Sequence, residues 1–224
     1  MHTRTLVPVV AGLVVLAATA LGAGTAYSAL TDGADLVATS IAGGADPAAT
    51  GVLDVATIDP RGVVSTGPGA AELVPIPGDD SMTPGRTVRL QVGVADNDPD
   101  TAAAVAVSVL PMGDDGSGRV GTAPNVTGFL LVTVQDTTTG RILIGGSAAD
   151  PGKGVPVAEA SAMLDRLAAR GADPVGDGED WTPGDPGSRH DLAVQVYCPD
   201  IPAVRALSGP ESDLSLLVSG APAP

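Results

Sequence analysis

The strongest constraint in this sequence is a two-residue apolar period. From Thr87 to Ala95, Val88, Leu90, Val92 and Val94 fall on one side, and Arg89, Gln91 and Gly93 on the other. Successive side chains of a strand point to opposite faces, so this pattern suits a sheet with one buried face and not a helix. The alternation recurs at Ala103 to Val109, at Leu192 to Cys198 and at Leu214 to Val218. Gly128 to Gln135 carries apolar residues on both faces, as a central strand does. Gly51 to Asp59 reads as a short strand. Arg141 to Ile144 follows the polar run Thr137-Thr138-Thr139-Gly140 and suggests a hairpin. With 30 Gly and 20 Pro the chain has material for many turns. The expected fold is mainly all-β: an antiparallel β-sandwich, jelly-roll or Ig-like, forming a single domain over 29–224.

One segment breaks the period. Ala160, Leu164, Leu167 and Ala168 follow helical spacing, Pro156 suits a first turn, and Gly171 suits a C-terminal cap. The spacing predicts one short inserted helix over 156–170. The stretches Pro60 to Ser81, Gly113 to Asn125 and Gly171 to Arg189 read as loops. Met82-Thr83-Pro84-Gly85 and Trp181-Thr182-Pro183-Gly184 each lead into an alternating strand, an echo that a Pro-Gly turn explains without duplication.

The N-terminal segment sets the address. His2 and Arg4 precede an apolar run from Leu6 to Leu21, followed by Gly22-Ala23-Gly24-Thr25-Ala26. This is the order of a secretory signal over 1–28, with cleavage after Ala26 or after Ser28. The competing reading is an uncleaved anchor, because Leu6 to Leu30 carries no charge. Either places the bulk of the chain outside the cytoplasm, secreted or at the cell surface.

Charge narrows the partners. Loss of Arg4 with the leader leaves 10 basic against 26 acidic side chains, a net of −16. Such a surface repels phosphate backbones and anionic bilayers, so no nucleic-acid partner is expected, and a membrane is met only through an uncleaved N-terminal segment. Lys153 is the only lysine, and Cys198 the only cysteine, so no internal disulfide can form. Tyr27, Phe129, Trp181 and Tyr197 are the only aromatics, which leaves Val, Leu and Ala to fill the core.

Taken in order, these features resemble a family. The leader ends in Gly22 to Asp32; Gly51-Val52-Leu53-Asp54-Val55 follows. A Pro-Gly turn opens Thr83 to Ala95, which closes on Asn97. Strands come at Ala103 to Val109 and around Val132 to Leu143. A second Pro-Gly turn leads to Val194-Gln195-Val196 and Pro199, and Gly209 with Leu214 to Val218 ends the chain. This is similar to the TasA/camelysin-like exported proteins with a SipW-type (alternate) signal. The resemblance implies a jelly-roll-like sandwich that self-associates by donating a strand to the next subunit, as in extracellular matrix and biofilm fibres of bacteria. Two features depart from the pattern: the segment at 156–170, and a post-leader signature kept only as Tyr27-Ser28 and Thr31-Asp32.

No catalytic set emerges. A His-Glu-x-x-His zinc site is absent, and His190 is the one histidine beyond the leader. Ser188, His190 and Asp191 are too close in sequence to place nucleophile, base and orienter, and read as a solvated loop. Asp96, Asp98 and Asp100 alternate as calcium ligands can, making calcium the one possible cofactor, although Thr101 stands where an EF-hand loop has glycine. Asp114-Asp115 and Gly176 to Asp180 are weaker versions. Asn125-Val126-Thr127 matches a glycosylation acceptor by chance composition. Cys198 reads as a packed thiol and Trp181 as a plug beside its loop. The expectation is a secreted, non-enzymatic structural or surface protein, possible as a fibre subunit. The alternative is a monomeric cell-surface binding module, calcium-linked or not, with a hydrolase as the minor alternative.

Overall fold

The computed structural model describes residues 53–67, 70–78, 82–112, 126–207 and 213–223. Residues 1–52, with the segment expected as a leader, and the whole of 113–125, with Asp114-Asp115 and Asn125, lie outside the described residues.

The chain is all-β, and among the described residues every strand pairing is antiparallel. The strands are β1 (Val55–Ile58), β2 (Val64–Thr66), β3 (Ala71–Pro75), β4 (Thr87–Asp96), β5 (Ala103–Pro111), β6 (Leu131–Asp136), β7 (Ile142–Ile144), β8 (Val155–Pro156), β9 (Ser161–Met163), β10 (Arg189–Tyr197) and β11 (Leu214–Pro222). The larger sheet runs β2-β1-β4-β10-β6-β7, with β8 also on β6, and the smaller runs β3-β11-β5-β9. Among the described residues the one α-helical turn is Pro202–Arg205, and no helix is long and apolar enough to cross a membrane.

The alternation decides the packing. Val88 to Val94 of β4, Val132 and Val134 of β6, and Leu192 to Val196 of β10 turn their apolar side chains inward. They share one core with Val105, Val107 and Val109 of β5 and with Leu214, Leu216 and Val218 of β11. Each such side chain contributes about 1.5–3 kcal/mol on burial, so aliphatic number replaces aromatic size. Phe129 is no core residue: it is exposed on a 3-10 turn (Thr127–Phe129) that precedes β6, so the central strand begins two residues later than its apolar run.

A second, smaller cluster lies on the outer face. Ala56, Ile58, Val64, Ala95 and Val175 pack together with Trp181 against them. The long connection before β10 therefore folds back over β1 and β4, and β1 is buried on both faces. Asp180 bridges to Val63, and the Val64 N–H donates to Glu179 O at 2.9 Å.

The predicted helix over 156–170 is not formed. Val155–Pro156 pairs with β6, Val157–Glu159 is a 3-10 turn, and Ser161–Met163 pairs with β5. Leu164 N–H donates to Val105 O at 2.9 Å, and Leu167 exchanges bonds with Ala103. The reason is an ambiguity of spacing. A four-residue interval, Ala160 to Leu164, is shared by the helical and the two-residue periods. Ala160 and Leu164 are buried, Ala162 is half-buried, and Ser161, Met163 and Asp165 are exposed, which is a pleat. The ladder groups of β5 need partners on this side, and the segment supplies them.

The Pro60 to Ser81 stretch, expected as loop, holds β2 and β3. Its short apolar runs, Val63-Val64 and Leu73-Val74, are too brief to show a period. The hairpin of β6 and β7 is present, around a Gly140 with φ of 79°.

Candidate functional site

The ends of β4, β6 and β10 place the polar side chains. Asp96, Asp136, Ser188 and His190 are all buried at one end of the larger sheet. The 97–102 turn, the Thr137 to Gly140 turn and the 165–188 connection meet there.

The acidic turn uses its carboxylates on backbone. Asp96 Oδ1 accepts from the Asp98 N–H at 3.0 Å; Asp98 Oδ1 accepts from the Asp100 and Thr101 N–H groups at 2.9 and 2.7 Å. Asp100 itself is exposed. Asn97 does most of the holding: its amide donates to Asp54 Oδ2 at 2.6 Å and Val175 O at 3.0 Å, and its oxygen accepts from Val175 N–H at 2.9 Å. Burial, with the nearby charges of Asp98 and Asp54, pushes the Asp96 carboxyl up to about 7 against two backbone hydrogen bonds. Asp96 Oδ2 is buried without a hydrogen bond. Among the described residues no group of three or more His, Cys, Asp or Glu side chains is arranged to hold a metal ion. Gly176 to Asp180 likewise serves its loop: Glu179 accepts from Gly176 N–H and Asp177 from Thr66 N–H, both at 3.1 Å.

Ser188, His190 and Asp191 do not form a solvated loop. His190 and Asp191 belong to β10, so the pleat sends them to opposite faces. His190 Nδ1 meets Asp136 Oδ2 at 2.8 Å inside the protein. Asp191 lies outside, where Oδ1 accepts from Arg189 Nε and Nη2 at 2.9 and 2.6 Å. Asp136, which the sequence reading passed over, also accepts from the Thr138 N–H at 2.9 Å and the Thr139 hydroxyl at 2.6 Å. Burial pushes its carboxyl up, but these bonds and His190 outweigh that and hold it below the usual range. The signal for the pairing was available: an aspartate ending one alternating strand and a histidine beginning another are brought together when those strands pair.

Arg170 is a buried cation without a carboxylate partner among the described residues. Its Nε donates to Asp173 O at 2.8 Å, and Nη2 donates to Thr182 O and Oγ1 at 2.8 and 2.7 Å. The guanidinium carbon sits 4.2 Å from the Trp181 ring centroid. Trp181 is thus half-buried as a plug beside its loop and also as a platform for Arg170. Cys198 is buried and free, with its thiol pushed up by burial and by Asp200; it is a packed thiol.

The outer face of the larger sheet holds a groove of about 430 Å³. Its floor is the β1-β4-β10 row in which Ile58, Gly93 and Asp191 stand in register. The β1–β2 turn walls one side with Asp59 and Arg61, and Arg189 with Asp191 walls the other, beside Thr137. No protein-family model matches this chain, and no curated protein matches it either.

Proposed function

We propose that this protein is an exported, non-enzymatic structural or surface component whose subunits associate by strand donation. The observation that carries this reading is the state of the smaller sheet's edges. β3 and β9 end the strand order, and they expose Leu73 (38%) and Met163 (50%). A strand paired on one side and bearing an exposed apolar side chain is a template for another strand. The leader-like N-terminus and the motif order similar to TasA/camelysin-like proteins support the same reading. So does the use of Asp98, Asn97, Asp136 and Arg170 to hold turns, which leaves them to structural work.

Electron microscopy and sedimentation of the purified protein, its N-terminus defined by intact mass, test the proposal. Fibres or oligomers that grow with concentration are the expected result. A strict monomer at every concentration overturns it. The groove over Gly93 favours a second reading, a monomeric surface-binding module, which that monomer would leave standing.

A further inference from the structure

The groove's lining specifies a chemistry. Gly93 has no side chain, and Arg189 and Ile58 fill the space over it. A Cβ there would lie 3.0 Å from Arg189 Nε and 3.1 Å from Ile58 Cβ, so the absence of one is what lets the Arg189 guanidinium lie across the floor. Asp59 is bonded by its Oδ2 to Arg61 Nε at 2.9 Å and by its Oδ1 to the Arg61 and Val63 N–H groups. On the opposite wall both bonds from Arg189 fall on one oxygen of Asp191. Asp59 Oδ2 also meets Arg61 Nη2 at 2.8 Å, so both its oxygens are filled; spare acceptor capacity rests on the second oxygen of Asp191, and spare donor capacity on the remaining N–H groups of Arg61 and Arg189. Gln91, exposed on the floor two residues from Gly93, adds an amide with both functions.

Charge selects among ligands. The two arginines and two aspartates sum to zero in a chain of net −15. An anion would have to displace an aspartate from its arginine while approaching a strongly negative protein. A cation would meet two guanidinium groups. A neutral ligand whose hydroxyls both donate and accept meets neither penalty, and can use the remaining guanidinium N–H groups, the second Asp191 oxygen and the Gln91 amide without breaking either pair. The volume lies within the range of small-molecule sites, about 300–1,000 Å³.

We propose that the Gly93 groove binds a neutral polyhydroxyl ligand, a saccharide, through the Arg61–Asp59 and Arg189–Asp191 pairs with Gln91. The lining has no aromatic platform, so binding is weak, with a Kd of about 1 mM or somewhat tighter. This inference stands apart from strand donation.

Calorimetric titration and amide chemical-shift mapping of the purified protein test it. The probes are cellotetraose, maltotetraose and N-acetylchitotetraose, with citrate as an anion and tetra-alanine as a peptide. The expected result is saturable binding of at least one saccharide, with shifts at Gly93 and Arg189. Arg61→Ala, at a side chain 84% exposed, and Gln91→Ala should each weaken it at least tenfold. Arg205→Ala, on the exposed pair with Asp200 at the other end of β10, should not. Absence of saturable saccharide binding overturns the proposal. So does binding indifferent to Arg61 and Gln91, or binding of citrate or the peptide in place of any saccharide.

Discussion

His190 Nδ1 lies 2.8 Å from Asp136 Oδ2, in the interior, where β6 and β10 pair. Asp136 is held ionised by that contact and by Thr139, against the opposing effect of burial. Its folded carboxyl is therefore more acidic than its unfolded one. The sign follows: its stabilising contribution is full above about pH 4, the unfolded value, and is lost as pH falls through the lower folded value. Asp136→Ala leaves His190 and the Thr137–Gly140 turn without their acceptor and should cost about 3 kcal/mol at pH 7. Asp136→Asn keeps the shape and should cost about 1–2 kcal/mol, with a flatter stability curve below pH 4. Urea unfolding over a pH series measures both.

Asp96 should act with the opposite sign. Its folded carboxyl sits at about 7, raised chiefly by burial, while the unfolded one titrates near the ordinary value. A raised acid binds its proton more tightly when folded, so its contribution is full below about pH 4 and is lost as pH rises through 7. Asp96→Asn keeps the acceptor for the Asp98 N–H and cannot ionise. The variant should match the natural protein near pH 3, below both values, and exceed it by about 1 kcal/mol or more at pH 8. Denaturant midpoints at the two pH values check this; a gap that does not widen with pH would show that Asp96 stays ionised inside the fold.

Arg170 and Trp181 give the third prediction. Arg170 anchors the connection before β10 through Asp173 O and Thr182, with its guanidinium carbon over the Trp181 ring. Arg170→Ala unpairs three acceptors and empties the space over the indole, and should cost about 3 kcal/mol. Arg170→Lys retains charge but not the fork, and should recover less than half of that. Trp181 is the only tryptophan, so its fluorescence reports this loop alone. Both variants should redden its emission before global unfolding, and limited proteolysis should cut within 171–187.

Much of the fold was legible because alternation and burial coincide along β4, β5, β10 and β11. There a clean two-residue period names both the strand and its inner face. What was not legible depended on partners. Three residues in β2 or β9 are too few to show a period, and they are strands because β1 and β5 present unpaired ladder groups. The site was less legible still. Asp136 and His190 are 54 positions apart, and only strand pairing joins them. Arg170 lies at the end of the segment whose spacing predicts a helix, and only the loop folded over it buries its guanidinium. The groove could not be read at all, since strand pairing alone brings the β1–β2 turn opposite Arg189 and Asp191.

The segment 156–170 offers the sharpest check on that reasoning. A helix would protect a continuous series of amides, each bonded four residues back. The edge strand protects selected ones: Leu164 N–H bonds to Val105 O, Leu167 N–H to Ala103 O, and Ala168 N–H to Gly187 O. Hydrogen exchange should find Leu164 and Leu167 slow, with Met163 and Asp165 fast. Leu164→Pro removes the bonded N–H and a buried side chain together and should cost about 3 kcal/mol or more. Met163→Lys, at an exposed position on the edge, should change stability by less than about 0.5 kcal/mol. A continuous block of slow amides from 160 to 170 would restore the helix and detach this segment from β5.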